Sequence, residues 1–187
     1  MNWVVRLMAL LWVVVMSGCA SLASYSVTES ELEQYFSRQV EAFDRQQLEA
    51  GSPLSMSLSR VNVELGPDNR DVVVLDLGGE VALSALLMRL PVAMDLKVEG
   101  APVYSHQDKA IYIRRLKLLD SKIESPYFSG DLKPVTDTAM KLVAQMLETT
   151  PVYRLDQNDF WQRQLSSVPM DIRVMRGRLV IQPAQDR

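Results

Sequence analysis

The sequence predicts an α+β domain in which a bent antiparallel sheet is flanked by helices and closed by a C-terminal hairpin. Three observations point there. Apolar residues recur at helical spacing after Thr28 and again after Gly130, each stretch ending at a Pro-containing breaker. Between these stretches four runs alternate apolar and polar residues, and in two of them the apolar parity switches partway, as a β-bulge requires. Near the end, two short β-rich runs flank a turn at Arg176-Gly177.

The first element is not part of that domain. Arg6, the apolar run Leu7 to Met16, and the small residues Ser17-Gly18 have the order of a cleaved export signal. The run is too short for a membrane span, which needs about 20 apolar residues, and Arg6 interrupts it. Cys19 directly after Ser17-Gly18 resembles the lipobox of bacterial lipoproteins, with Met16 where Leu is usual. That resemblance implies an S-diacylglycerol on Cys19, cleavage before it, and N-acylation of the new amine, with palmitate as the typical chain. No other cofactor is implied. Ala20, standing where Asp would favour inner-membrane retention, implies sorting to the periplasmic face of the outer membrane. The lipoprotein processing and sorting machinery would then be obligatory partners. The expected organisation is a signal peptide over 1–18, the acylated cysteine and a short tether over 19–24, and a single domain over 25–187.

Removal of the signal leaves 169 residues, enough for one domain with its own core. Formal charge is −3 for the whole chain, with both signs scattered and no basic patch to mark a nucleic-acid partner. Cys19 is the only cysteine, so no internal disulfide exists and stability must come from packing. His106 is the only histidine, which excludes Ser-His-Asp triads and His-cluster metal sites by inventory. Asp95, Asp120, Glu124 and Asp131 fall in different elements, so no acid–base pair can be assigned. A non-enzymatic protein is expected.

Thr28-Glu29-Ser30-Glu31 fits a capping box, and Leu32, Tyr35, Phe36, Val40 and Phe43 then share one helical face to about Leu48. Gly51-Ser52-Pro53 stops that helix. Met56 to Leu65 is a strand whose parity switch requires a bulge near Ser59-Arg60, and Gly66-Pro67-Asp68-Asn69 is a turn. Val72 to Leu83 carries Gly78-Gly79, expected to mark a bend. Leu90, Val92, Met94, Leu96 and Val98 give the clearest alternation, which Gly100-Ala101-Pro102 is expected to break. After the polar turn Ser105 to Asp108, Ala110 to Asp120 switches parity again. A second amphipathic helix presents Leu132, Val135, Ala139, Leu142, Val143, Met146 and Leu147, and Thr149-Thr150-Pro151 ends it. An extended piece, 151–155, and a brief helix within 156–165 lead to the hairpin. Its strands hold Ile172-Arg173-Val174 and Leu179-Val180-Ile181.

The stretches Tyr25 to Leu32, Ala101-Pro102-Val103-Tyr104, Ala110 to Ile113, Pro151 to Leu155 and Ile172 to Pro183, in that order after a lipobox, resemble the YceB-like family of bacterial lipoproteins. The resemblance covers essentially the whole mature chain and carries no catalytic signature. It implies the tubular lipid-binding, BPI-like architecture, in which a strongly curved antiparallel sheet wraps a long amphipathic helix and leaves an apolar groove. It also implies a lipid or other hydrophobic molecule as ligand. Such a groove would be lined by Leu90, Val92, Met94, Leu96 and Val98 on one side and Val135, Ala139, Leu142, Val143 and Met146 on the other. The same residues equally describe a filled core. The alternative is a structural lipoprotein that presents a surface to an envelope protein partner. Ser84 to Met88 either rims a lipid entrance or ends a strand, and Phe160-Trp161 is expected to plug one end of the core rather than to contact a membrane.

Overall fold

The computed structural model describes residues 24–49, 54–85, 88–124 and 133–184. They form a mixed α/β fold with an antiparallel sheet curled into a half-barrel. In chain order the elements are β1 (Tyr25–Thr28), α1 (Glu29–Glu49), β2 (Leu54–Leu65), β3 (Val73–Ala85), β4 (Met88–Ser105), β5 (Ala110–Glu124), α2 (Lys133–Thr149), β6 (Tyr153–Arg154), α3 (Phe160–Leu165), β7 (Met170–Met175) and β8 (Arg178–Pro183). The large sheet runs β2-β3-β4-β5-β6, and a small one runs β1-β8-β7.

The capping box forms as the sequence requires. Thr28 N–H donates to Glu31 Oε2 at 2.8 Å, and Glu31 N–H donates to Thr28 Oγ1 at 3.4 Å, satisfying donors at the start of α1. Leu32, Phe36 and Val40 on its apolar stripe are buried. The same helix seals a sheet edge. Val63 N–H donates to Glu33 Oε1 at 2.8 Å and Leu65 N–H to Glu29 Oε1 at 2.7 Å, so two carboxylates occupy donors that an open β2 edge would offer to another chain. Asp71 Oδ1 treats the edge of β7 the same way, accepting from Val174 N–H at 2.8 Å.

Two of the three bends lie where parity switched, and the one at Lys97/Val98 had no such signal. The β2·β3 register shifts between Leu58 and Arg60, directly opposite Gly78 and Gly79. The β4·β5 register shifts at Lys97/Val98 and at Glu99/Ala101, where Arg115 on the facing strand adopts a positive φ of 55°. Each bulge adds local twist, and three in one sheet curl it. Outside the first bulge, Arg60 pairs with Asp95 and, at 3.6 Å, with Asp76.

Two expectations need correction, and one strand forms where the sequence predicts no element. Gly100-Ala101-Pro102 does not break β4, which continues to Ser105. Pairing with β3 ends at Gly100, so Pro102 lies where β4 has a neighbour on one side only, and an edge tolerates a residue with no N–H. Tyr25–Thr28 is a strand, whose partner Arg178–Ile181 is so distant in sequence that no local periodicity announces it. Phe160 and Trp161 do not plug the core; they are 59% and 64% exposed. The connection 86–87 lies outside the described residues.

Candidate functional site

The interior is the candidate site, and it is built from the apolar faces of nearly every element. Val63, Leu65, Val73, Leu75, Leu77 and Val81 supply β2 and β3; Met94, Leu96 and Val98 supply β4; Ile111 and Ile113 supply β5; Ala139, Val143, Met146 and Leu147 supply α2. Each large side chain buried this way contributes roughly 1.5–3 kcal/mol.

Of the ten groove candidates, Met94, Leu96, Val98, Ala139, Val143 and Met146 belong to this one cluster and are 2% exposed or less. Leu142 packs on it half-buried, and Val92 is buried opposite Val81 of β3. The side chains of Leu90 and Val135 lie outside the described residues. The arrangement differs in one respect from the expectation. Helix α2 packs chiefly against β5 rather than β4. The reason is topological, since β5 leads directly into α2 and is its neighbour in sequence.

Among the described residues a residual space in the core is bounded by Leu32, Phe36, Val63, Val73, Leu75, Ile113 and Val152, with a volume of about 10 Å³. That is about the room one water needs, but its lining is wholly apolar, so it is expected to stay dry. It lies under α1, and no groove candidate borders it. Leu32 and Phe36 were legible from the helical stripe; Val152, in a short extended piece, carried no such signal.

The two helices are held differently. Glu29 and Glu33 fix α1 to β2 by directional hydrogen bonds, whereas α2 meets the sheet through an apolar face. At one end of β4, Tyr104 Oη is buried with no hydrogen-bond partner among the described residues, and burial raises its pKa. His106, exposed in the turn, stacks edge-on against that ring at 4.9 Å.

A second polar cluster ties the N-terminus to the C-terminal half. Tyr25 Oη and Tyr153 Oη share a hydrogen bond of 2.8 Å, Gln162 Nε2 donates to Tyr25 Oη at 3.3 Å, and Tyr35 packs its ring 5.6 Å from that of Tyr153. Burial, then the bond with Tyr25, raises the Tyr153 pKa well above its ordinary value. The unfolded chain therefore loses the phenolic proton first, and the stabilisation present below about pH 10 declines as pH rises beyond it. Tyr153→Phe should make stability fall less steeply with alkaline pH in urea titrations. Identical slopes for the two proteins would contradict the buried phenol pair.

Among the described residues no group of acidic, His or Cys side chains gathers as for a metal ion. Asp95 is engaged by Arg60, and Glu124 pairs with Lys122 at 2.9 Å. Asp120 accepts from the neighbouring Ser121 N–H at 2.8 Å, and Asp131 lies outside the described residues. No helix among them is long and apolar enough to cross a membrane.

Comparison with known proteins now bears on this geometry. Residues 27–178 match the family model described as "Protein of unknown function (DUF1439)". The lipoprotein YceB of Escherichia coli (strain K12), described as uncharacterised, is 19% identical over 165 residues, covering 88% of this chain and 89% of that protein. YceB of Salmonella typhimurium (strain LT2), also described as an uncharacterised lipoprotein, is 20% identical over 165 residues with the same coverage.

Proposed function

The chain belongs to the DUF1439 family, and from that premise we propose that it is a lipoprotein, acylated at Cys19 and held at the periplasmic face of the outer membrane, that binds a lipid or another hydrophobic molecule. In this reading the half-barrel wraps a long amphipathic helix, α2, and the ligand enters between that helix and the sheet. The supporting observation is the contrast between the helices. The α1 carboxylates are hydrogen-bonded to β2, while the face that α2 turns to the core, Ala139, Val143, Met146 and Leu147, is apolar, and the helix packs chiefly on β5. Apolar contact is non-directional. An acyl chain can replace Ala139, Val143 and Met146 against the sheet at little net cost in buried area, whereas displacing α1 would strand two backbone donors. No chemistry is performed on the ligand, and the lipoprotein processing and sorting machinery delivers the protein to its membrane.

Native mass spectrometry of the full-length lipoprotein, extracted from membranes in mild detergent, tests this. The expected species carries the covalent acyl groups on Cys19 and, in addition, one non-covalently bound lipid per chain. A population bearing only the covalent groups would overturn ligand binding and leave the lipoprotein assignment standing.

The filled seam around Met94, Leu96 and Val98 favours a second reading, in which the domain presents a surface to an envelope protein. Crosslinking in whole cells separates the two. The second reading requires a reproducible protein partner that is still captured by a folded Met94→Asp variant.

A further inference from the structure

The aromatic pair on α3 stands out because the core does not use it. Phe160 and Trp161 are 59% and 64% exposed and touch edge to face at 5.5 Å, while Leu165 of the same short helix is buried. Two large rings turned to solvent side by side are costly unless something covers them.

Their mounting is specific. Asp159 Oδ1 accepts from Gln162 N–H at 2.9 Å, which caps the helix. Asp156 N–H donates to Gln162 Oε1 at 2.8 Å, and Gln162 Nε2 reaches Tyr25 Oη at 3.3 Å. The residue that follows Trp161 is therefore gripped from two sides and set against the first residue of β1. Tyr25 lies six residues beyond Cys19 in the chain. Six residues span at most about 20 Å when fully extended, so the aromatic pair cannot be far from whatever holds Cys19.

We infer that Phe160 and Trp161 form a second contact with the bilayer surface, inserting at headgroup depth beside the acylated cysteine. This rests on the proposed acylation of Cys19. Trp suits the site, because its ring takes up the apolar boundary while its N–H stays with polar groups. Asp156, Asp159 and Arg163 are exposed and flank the pair in sequence, which keeps the insertion shallow. The consequence is orientation. A single point of attachment leaves the orientation of the domain unset, whereas two points of attachment near β1 and α3 present a fixed side of the half-barrel to the membrane.

The chain provides its own reporter. Its three tryptophans are Trp3, Trp12 and Trp161, and the first two lie in the signal, so the mature lipoprotein carries Trp161 alone. The mature full-length lipoprotein is reconstituted into vesicles of phosphatidylethanolamine and phosphatidylglycerol, with and without phosphatidylcholine brominated high on its acyl chains. Acyl mass and co-flotation with the vesicles are recorded on the same sample. The expected result is an emission shifted to the blue, loss of most of its intensity with brominated lipid, and protection from acrylamide in water. A protein that is acylated and floats but shows acrylamide-accessible emission, untouched by bromine, overturns the contact while the acylation stands. Blue-shifted emission that ignores bromine overturns it in favour of a second copy or another protein covering the pair. A mature chain without acyl mass removes the lipoprotein reading, and this contact falls with it.

Discussion

Replacing Gly79 by alanine should destabilise the protein by about 3 kcal/mol or more, the upper end of what overpacking costs, whereas Gly78→Ala should cost about 1 kcal/mol or less. The two glycines are adjacent in β3 and opposite the same bulge, yet their surroundings differ in kind. A Cβ on Gly79 would lie 2.1 Å from Ser57 O and 2.9 Å from Leu58 Cα, both backbone atoms of the paired strand. Backbone held in a ladder cannot yield without breaking the β2·β3 register at Leu58. A Cβ on Gly78 would meet Arg60 Nη2 at 2.7 Å and Asp95 Oδ1 at 2.9 Å, the ends of side chains that are half exposed and free to swing. What Gly78→Ala loses is an exposed ion pair, which is worth little in water. Urea titrations of the two variants decide the matter, and equal costs would mean that the bulge does not face the glycines as described.

That bulge also shows what was legible beforehand. Met56 and Leu58 lie on one parity and Val61, Val63 and Leu65 on the other, and only an extra residue at Ser59-Arg60 lets both groups face one core. The same logic gave the parity switch in β5. Helix α1 was legible through its capping box, because a cap is a contact between near neighbours. What could not be read is set by partners far along the chain. Strand β1 has no pattern of its own in four residues, and the roles of Glu29 and Glu33 as covers for β2 depend on a helix–edge contact that their solvent-face spacing disguises. For Phe160 and Trp161, hydrophobicity argued for burial, and only the direction of α3 set by Gln162 and Leu165 turned them outward.

The largest single side-chain effect is expected at Phe36. Its ring is fully buried, and it borders the residual space of about 10 Å³ beneath α1. Phe36→Ala removes the ring from a site that cannot collapse easily, because Val63 and Val73 are fixed in the sheet by the β2·β3 ladder and α1 is fixed by Glu29 and Glu33. The loss should be about 3–5 kcal/mol, combining the transfer of the ring and the cavity left behind. The vacated volume would extend a space bordered by Leu32, Val63, Val73, Leu75, Ile113 and Val152, all apolar, so a small hydrocarbon such as benzene should bind there and restore part of the loss through linkage. A cost below about 1 kcal/mol would mean that α1 does not seal the core. The comparison with α2 then bears on function. Met146→Ala should cost about 2–5 kcal/mol in delipidated protein; if the domain binds lipid as proposed, the cost should shrink when lipid is supplied, because an acyl chain can occupy the vacated volume. Phe36→Ala should show no such dependence on lipid, since its cavity lies on the side of the core that the hydrogen-bonded helix keeps closed. If both variants respond alike, or neither does, the two helices do not divide the work of sealing and admitting as their contacts imply.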